Sequence, residues 1–134
     1  MLNMSKTIKY GLRGLRYLAQ NREKGFIKIE EISKAENIPD NYLRKIFQQL
    51  IKNRVVESGV GPKGGVKFST GADEISLARV IEIIDGKPSF KECTLFGYAN
   101  CAKFASCPLQ MECNLFKENL WKKLRDFKLK ELEK

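Results

Sequence analysis

Cysteine is the residue type in this chain whose spacing could support chemistry. Four cysteines lie within 21 residues, and the rest of the sequence contains none. They are Cys93, Cys101, Cys107 and Cys113, with seven, five and five residues between successive members. The chain also has no histidine. Because thiolates are soft ligands and good nucleophiles, this cluster indicates either a metal site or a set of redox-active thiols.

The spacing of the cysteines favours an iron–sulfur cluster over zinc. Zinc fingers and ribbons usually use close cysteine pairs with about two to four intervening residues. Here no pair has fewer than five residues between its members, and wider loops fit better around a larger inorganic core. A 2Fe–2S or a 4Fe–4S centre would suit this donor set equally well. Zinc, or cofactor-free thiols that switch by forming disulfides, are the alternatives.

One helix in the first half of the chain has a face suited to nucleic acid. Residues 40–53 place apolar side chains at helical spacing, namely Leu43, Ile46, Phe47, Leu50 and Ile51. The opposite face has no acidic residue after Asp40, and its long donors and amides can reach phosphates and base edges. The DNA contacts predicted on it are Asn41, Tyr42, Arg44, Lys45 and Gln48. Tyr42 is the weaker candidate, because it could pack beneath the helix.

Positive charge is concentrated in the same half of the chain. Residues 1–72 contain 14 basic and 6 acidic residues, which gives +8, whereas residues 73–134 contain 11 and 10, which gives +1. This favours an anionic partner such as nucleic acid, although a soluble basic protein without such a partner would have the same composition. The lack of a Ser/His/Asp set and of a phosphate-cradling motif argues against an enzyme. No apolar run approaches the roughly 18–20 residues of a membrane span, and no secretory signal is evident, so we expect a cytoplasmic protein.

The order of the predicted elements is that of a winged helix-turn-helix. Helices are predicted over residues 5–21, 30–36, 40–53 and 76–85, and a hairpin pairs Val55–Ser58 with Gly65–Ser69. The tip of this wing contains Gly61, Pro62, Lys63 and Gly64, which we expect to meet the DNA backbone or a minor groove. The predicted fold class is therefore mainly α with a small β-hairpin wing. We divide the chain into a DNA-binding region, residues 1–72, and a cysteine loop with a dimerisation helix, residues 73–134, packed as one domain.

A long final helix is predicted from about Cys113 to Leu132. It carries a wide apolar stripe, formed by Phe116, Leu120, Trp121, Leu124 and Phe127. The helix could fold back on its own core. However, one tryptophan and two phenylalanines exceed what a small core needs, which favours a contact in a homodimer.

Four segments together resemble the IscR/NsrR-type winged-helix regulators. They are the opening helix Thr7–Ala19, the segment Ile38–Ile46, the glycine-rich wing Gly61–Val66 and the helix Leu77–Gly86. The resemblance covers nearly the whole chain, and the order of the motifs is more specific than any single one. It implies a homodimeric bacterial transcription factor that binds a double-stranded, (pseudo)palindromic operator. Many members hold an iron–sulfur cluster through three cysteines before a long dimerisation helix, and others sense different signals.

This chain departs from the family pattern at its ligands. The family's biogenesis regulator uses a histidine as the fourth ligand, and its nitric-oxide sensor uses an aspartate from the partner subunit, where Lys9 stands here. Lys9 cannot ligate at neutral pH. We therefore expect all four cysteines to hold the cluster, with a three-cysteine site and one spare thiol as the alternative. In the wing, Val60 replaces a frequent arginine, so Lys63 is its possible substitute. A small iron–sulfur electron carrier is a less favoured reading, because it would not need the basic helix or the wing.

Overall fold

The computed structural model describes residues 4–62, 64–88, 91–93, 95–101 and 107–133. Its helices and strands, in chain order, are α1 (Lys6–Gln20), α2 (Ile29–Glu36), α3 (Asp40–Lys52), β1 (Val56–Gly59), β2 (Gly65–Phe68), α4 (Leu77–Asp85) and α5 (Gln110–Asp126). Short 3-10 turns cover Arg22–Lys24, Ala72–Glu74 and Leu129–Glu133. The first four predicted helices and both strands are confirmed to within one residue at each end. The fold is mainly helical with a two-stranded wing, as the sequence predicts.

Helix α1 packs one face against the hydrophobic core. It begins after Ser5, whose side chain accepts a hydrogen bond from the backbone N–H of Ile8 at 3.1 Å, as an N-cap residue does. Residues at helical spacing are buried on one side, among them Leu15 and Leu18. Gly11 allows a close helix crossing, since a Cβ there would lie 2.6 Å from the Ile84 side chain of α4. The amphipathic pattern of the sequence therefore places α1 against α3 and α4.

The turn between α2 and α3 has the backbone geometry that its sequence suggests. Helix α2 ends at Asn37, which adopts the left-handed conformation (φ 53°) and donates its backbone N–H to the Ser33 carbonyl. Ile38 is buried beneath the turn, and Pro39 precedes the first residue of α3. Helix α3 then buries Leu43, Ile46, Phe47 and Leu50. Burying each of these side chains stabilises the folded state by about 1.5–3 kcal/mol. Burial of the apolar face therefore determines the rotation of α3 about its axis and leaves its polar face toward solvent.

The wing is an antiparallel hairpin attached to the core through Ile27. Val56 pairs with Phe68, and Gly59 pairs with Gly65. Ile27 and Val66 exchange both backbone hydrogen bonds, at 2.9 and 2.8 Å. Gly65 has φ +143°, and a Cβ at this position would lie 2.5 Å from the carbonyl carbon of Ile27. Only glycine permits this close backbone approach, so Gly65 determines how the wing joins the body.

Substituting Gly65 with alanine should therefore destabilise the protein. We expect Gly65→Ala to lower the free energy of unfolding by about 2–4 kcal/mol, because strain and backbone overlap add. Gly61→Ala is the matched control: Gly61 also has a positive φ (+88°), but its added Cβ would have no atom within 4 Å. This control should cost only about 1 kcal/mol. Urea denaturation measures the free energy of unfolding of both variants. An equal decrease in the two would rule out steric crowding at Gly65 as the cause.

The last helix differs from the prediction at both ends. Helix α5 spans Gln110–Asp126 rather than about 113–132. At Phe127 the backbone becomes extended, and the chain turns back along the start of α4. The Leu77 N–H donates to the Phe127 carbonyl, and the Leu129 N–H donates to the Ile75 carbonyl, each at 2.9 Å. Leu129 is fully buried in the core, a position that it could not reach on a continued helix.

One hydrophobic core contains side chains from both halves of the chain. Val55 and Val66 of the wing region share it with Val80 and Ile81 of α4 and with Leu129 near the C-terminus. Within the described ranges, none of the helices combines the length and the apolar character needed to cross a bilayer.

Candidate nucleic-acid interface and cysteine site

The polar face of α3 is open to solvent. The five α3 side chains predicted to contact DNA are all exposed, namely Asn41, Tyr42, Arg44, Lys45 and Gln48. They are exposed because α3 uses its apolar positions against α1, α2 and α4. The face therefore has the donors and the accessibility that groove reading requires.

The wing and α3 lie on the same side of the molecule. A cleft of about 310 Å³ lies between them and is lined by Arg44 and Ile51 of α3 and by Gly59, Gly61 and Gly64 of the wing. Gly61 and Pro62 at the tip are exposed, whereas Gly64 is buried. Lys63, predicted to meet the DNA backbone, lies outside the described residues. One surface thus presents both the helix and the tip that a winged helix uses on a duplex.

Arg44 is held by two carboxylates. Its Nε donates to Asp40 Oδ2 at 2.6 Å, and its Nη2 donates to Glu30 Oε1. These partners raise the pKa of the guanidinium, Asp40 contributing more than Glu30. The pKa of the Glu30 carboxyl is lowered, first by its own backbone N–H and then by Arg44. All three side chains remain partly in solvent, so water screens both ion pairs and weakens them.

The pair with Glu30 has two consequences for a DNA contact. It restricts the orientation of the Arg44 guanidinium in the protein without DNA. It also places the Glu30 carboxylate beside Arg44, a side chain that is predicted to contact the duplex. Glu30 belongs to α2 and lies 14 residues before Arg44. No sequence pattern marks this pairing, so sequence reasoning did not include Glu30 in the site.

Tyr42 does not pack beneath the helix. It is 57% exposed, and its ring meets Tyr10 of α1 edge-on, with 6.2 Å between centroids and 64° between planes. The Arg13 guanidinium lies 5.9 Å from the centre of the Tyr10 ring, and Arg13 also pairs with Glu36 at 3.5 Å. The first turn of α3 therefore contacts α1 through the two tyrosines, and α1 is in turn paired with α2.

The cysteine segment, which contains Cys93, Cys101, Cys107 and Cys113, connects the end of α4 to the first turn of α5. Cys93 and Cys101 are buried, each 8% exposed, whereas Cys107 and Cys113 are half-buried, and all four are free thiols. Two short hydrogen bonds shape the first part of the segment. The Cys93 N–H donates to the Tyr98 carbonyl at 2.7 Å, and the Cys101 N–H donates to the Lys91 carbonyl at 2.6 Å. Through these two bonds the described backbone at 91–93 lies against that at 98–101, so the parts of the segment that carry Cys93 and Cys101 are side by side.

The turn around Cys93 favours a thiolate. The backbone N–H of Phe96 donates to Cys93 Sγ at 3.3 Å. This contact lowers the pKa of the Cys93 thiol, helped less by the backbone N–H groups of Leu95, Tyr98 and Gly97, while burial opposes it. Gly97 adopts φ +75°, which lets the chain curl around the sulfur. A thiolate prepared in this way is a better metal ligand and a better nucleophile.

The second pair of thiols lies at the start of α5. The Gln110 N–H donates to the Cys107 carbonyl at 3.3 Å, and the Cys113 N–H donates to the Leu109 carbonyl at 3.0 Å. The Gln110 side chain reaches back to the Cys101 carbonyl, also at 3.3 Å. In the described parts of the segment, hydrogen bonds therefore connect the backbone near Cys101 with Gln110 and with Cys107, and Cys113 with Leu109.

The donor set fits an iron–sulfur cluster in its chemistry. It offers four thiols, one with a lowered pKa, and the exposed apolar residues Leu95, Phe96 and Leu109 are close to them in the sequence. Among the described residues, however, no three cysteine or carboxylate side chains converge closely enough to hold a metal ion. Bringing the four sulfurs together would therefore require the segment to close.

The predicted dimer stripe divides into two parts. Trp121, Leu124 and Phe127 are half-buried and pack against the core of the same chain. Leu120 is also half-buried, whereas Phe116 is 52% exposed. Met111 and Leu115, which the prediction omitted, are exposed near Phe116 on the first half of α5. The exposed apolar side chains of α5 therefore lie on its first half, which directly follows the cysteine segment.

Comparison with known proteins identifies the architecture. The model of the Rrf2 family, described as iron-dependent transcriptional regulators, matches residues 4–134. A putative HTH-type transcriptional regulator of Aquifex aeolicus is 36% identical over 104 residues, which cover 78% of this chain and 71% of the relative. The HTH-type transcriptional regulator NsrR of Oceanobacillus iheyensis is 27% identical over 133 residues, covering 99% of this chain and 90% of that protein.

A solved structure shows the same fold. Oxidized CymR of Staphylococcus aureus superposes with a TM-score of 0.73 at 24% identity, covering 98% of this chain and 96% of CymR. This likeness concerns the fold alone. The family match, in contrast, extends over nearly all the sequence, from α1 through the wing and the cysteine segment to the C-terminus. The chain therefore belongs to the Rrf2 family of transcriptional regulators.

Proposed function

We propose that this transcriptional regulator binds its operator as a homodimer and that an iron–sulfur cluster held by Cys93, Cys101, Cys107 and Cys113 controls its affinity. The observation that carries the proposal is the cysteine segment itself. It connects α4 of the winged-helix core to α5, and it holds all four thiols of the chain. A change at these thiols therefore acts on the element that joins the DNA-binding core to the surface proposed for dimer contact.

The proposed DNA contacts follow from accessibility. Asn41, Arg44, Lys45 and Gln48 present amides and cations on the open face of α3. In this docking, α3 lies in the major groove while Gly61, Pro62 and Lys63 approach the backbone. Gly64 is buried and donates its N–H to the Gly61 carbonyl, so its role is to shape the wing tip rather than to touch DNA. Tyr42, near the start of α3, is exposed enough to touch a base or a sugar. The positive charge of residues 1–72 supplies the sequence-independent part of the affinity.

The chain's residues have separate roles at the proposed cluster. The four thiolates ligate, and the backbone amides around Cys93 lower the pKa of its thiol, which favours the charged form. Leu95, Phe96 and Leu109 supply apolar surface that would keep water away. When bound, the cluster supplies a redox-responsive, chemically labile centre. Measuring iron and sulfide per chain would show whether the cluster is 2Fe–2S or 4Fe–4S.

The proposed coupling depends on how α5 is held at its two ends. Its C-terminal end is attached to α4 and the core through Phe127 and Leu129. Its first half carries Cys113 and the exposed apolar residues Leu115 and Phe116. Closing the cysteine segment would therefore reposition the proposed dimer surface relative to α3. Since a two-fold dimer reads half-sites roughly 34–36 Å apart, a small rotation at the dimer axis would change operator affinity.

Anaerobic purification tests this proposal. Absorption spectroscopy with iron and acid-labile sulfide assays should show near-equal iron and sulfide, and sedimentation should give a dimer. Operator binding should then differ between the loaded and the metal-free protein. Protein that stays colourless after reconstitution with iron and sulfide would refute the cluster.

A cofactor-free thiol switch is the second candidate. It is favoured by the lowered pKa of Cys93, by the four free thiols and by the lack of a converged ligand set among the described residues. In this case the wild-type protein is colourless, and operator affinity changes on treatment with peroxide and recovers with dithiothreitol. Mass spectrometry after alkylation would identify the disulfide.

Removing the Glu30 carboxylate should strengthen operator binding. Glu30→Gln leaves Arg44 paired with Asp40 alone and removes a negative charge from the proposed DNA face. We expect operator affinity to rise about two- to fivefold, because the variant lacks a carboxylate that repels the DNA phosphates, and the gain should shrink at high salt. Glu74→Gln is the control, because Glu74 pairs with Lys130 near the C-terminus. Equal gains in both variants would indicate a general charge effect.

A further inference from the structure

Helix α5 buries a lysine. Lys117 is 1% exposed, and among the described residues it is the one charged side chain in the buried set. Its ammonium donates a hydrogen bond to the backbone carbonyl of Glu92. Burying an ammonium is costly unless it is well bonded, so a leucine or methionine would serve better if packing were its only role.

The position of Lys117 connects the two ends of the cysteine segment. Glu92 directly precedes Cys93, so the bond holds the turn that carries the first thiol. Cys113 lies four residues before Lys117 on α5, and residues four apart share a helix face. The ammonium thus lies on the helix face that carries the last thiol and reaches the backbone next to the first. Gln110 provides a second tie, from α5 to the Cys101 carbonyl.

The charge of Lys117 also matches the chemistry of the segment. Thiolates and clusters with four thiolate ligands are negatively charged, and a buried cation stabilises nearby anions more than an exposed one does. The acidic residues nearest in sequence, Glu92, Glu112 and Glu118, are exposed, so their charges are screened by solvent.

We propose that Lys117 is a positioning residue of the cysteine site: it anchors the Cys93 turn to α5 and supplies the buried positive charge that offsets the thiolate ligands. The charge role rests on the proposed cluster function, whereas the anchoring role does not require a cofactor. Lys117 would then transmit a change in the cysteine segment to the helix proposed for dimer contact.

Hydrogen exchange on the reduced, metal-free chain tests the anchor. Lys117→Met keeps the side-chain volume but removes the donors. We expect exchange over residues 91–101 to accelerate about 10- to 100-fold, while α1 and α3 keep their protection. Lys122→Met, at an exposed position of the same helix, should leave exchange unchanged. Unchanged exchange in Lys117→Met would overturn the anchor. If Lys117→Met unfolds globally, Lys117→Arg is measured instead. Wild-type protection of residues 91–101 against exchange in Lys117→Arg would support the anchor, and loss of that protection would overturn the anchor.

The reduction potential of the reconstituted protein tests the charge. Removing a nearby cation disfavours the more negative reduced state, so Lys117→Met should have a lower potential than wild type and Lys117→Arg should restore it. A potential in Lys117→Met equal to that of wild type would overturn the charge role. If the wild-type protein binds no cluster, the proposed cluster function and this charge role both fail, and the exchange result alone decides the anchor.

Discussion

Cys93→Ala is expected to yield a colourless protein whose operator affinity equals that of the metal-free wild type. Cys93 is the thiol with the lowered pKa and the backbone N–H donors, so the site loses its best-prepared ligand. Coupling between two sites is typically about 1–3 kcal/mol, so the affinity should differ from that of the loaded wild type by about 5- to 150-fold. Anaerobic absorption spectra and fluorescence anisotropy with operator DNA measure both effects.

Two comparisons sharpen this experiment. Metal-free wild-type protein controls for the substitution itself, because it should bind the operator as Cys93→Ala does. Cys113→Ala, compared with Cys93→Ala, tests the number of ligands: with four ligating cysteines both variants should lose the cluster, whereas a stable, fully loaded variant of either would show that its cysteine is the spare thiol. If loaded wild type and Cys93→Ala bound the operator equally, the cluster would have no control over DNA affinity.

Arg44→Ala is expected to cause the largest loss of operator binding among single changes on α3. If Arg44 reads a guanine, the loss is about 1–3 kcal/mol, or roughly 5- to 150-fold, and it is concentrated at one base position. If Arg44 touches a phosphate, the loss is similar for all sequences, and the salt slope flattens by about one charge. Anisotropy titrations with single-base operator variants at several salt concentrations distinguish the two.

Lys52→Ala provides the matched control. Lys52 is an exposed cation in the last turn of the same helix, and recognition helices contact bases mainly through their N-terminal residues. Both variants remove one positive charge, so the general electrostatic loss is shared. Equal affinities for Arg44→Ala and Lys52→Ala at every base position would exclude base reading by Arg44. Circular dichroism should show unchanged helix content in both.

Most of the winged-helix region could be predicted from the sequence because its signals are local. The caps of α1 and α4 are serines, the α2–α3 turn is Asn37-Ile38-Pro39, and α3 repeats its apolar residues with the helical period. The wing has glycines where the backbone needs positive φ or close approach. Neighbouring residues alone carry this information.

The error at α5 has a physical reason. An apolar pattern continues beyond Asp126, so the period alone predicts a longer helix. Instead, the chain extends at Phe127, which lets Leu129 enter the core and hydrogen-bond to Ile75. The start of α5 also differs from the prediction. The residue before it is Leu109, whose side chain cannot accept a capping hydrogen bond, so the sequence has no helix-start signal there.

The sequence is enough to place four thiols in one segment, with a basic helix-turn-helix and a glycine-rich wing before them and a helix with an apolar stripe after them. These features depend on residue type and short spacing. The pairing of Glu30 with Arg44 and the burial of Lys117 against Glu92, in contrast, become visible in the folded chain alone. Those pairs join residues 14 and 25 positions apart. Local periodicity carries no information about such distances, because packing between elements, rather than the pattern within one, brings the side chains together.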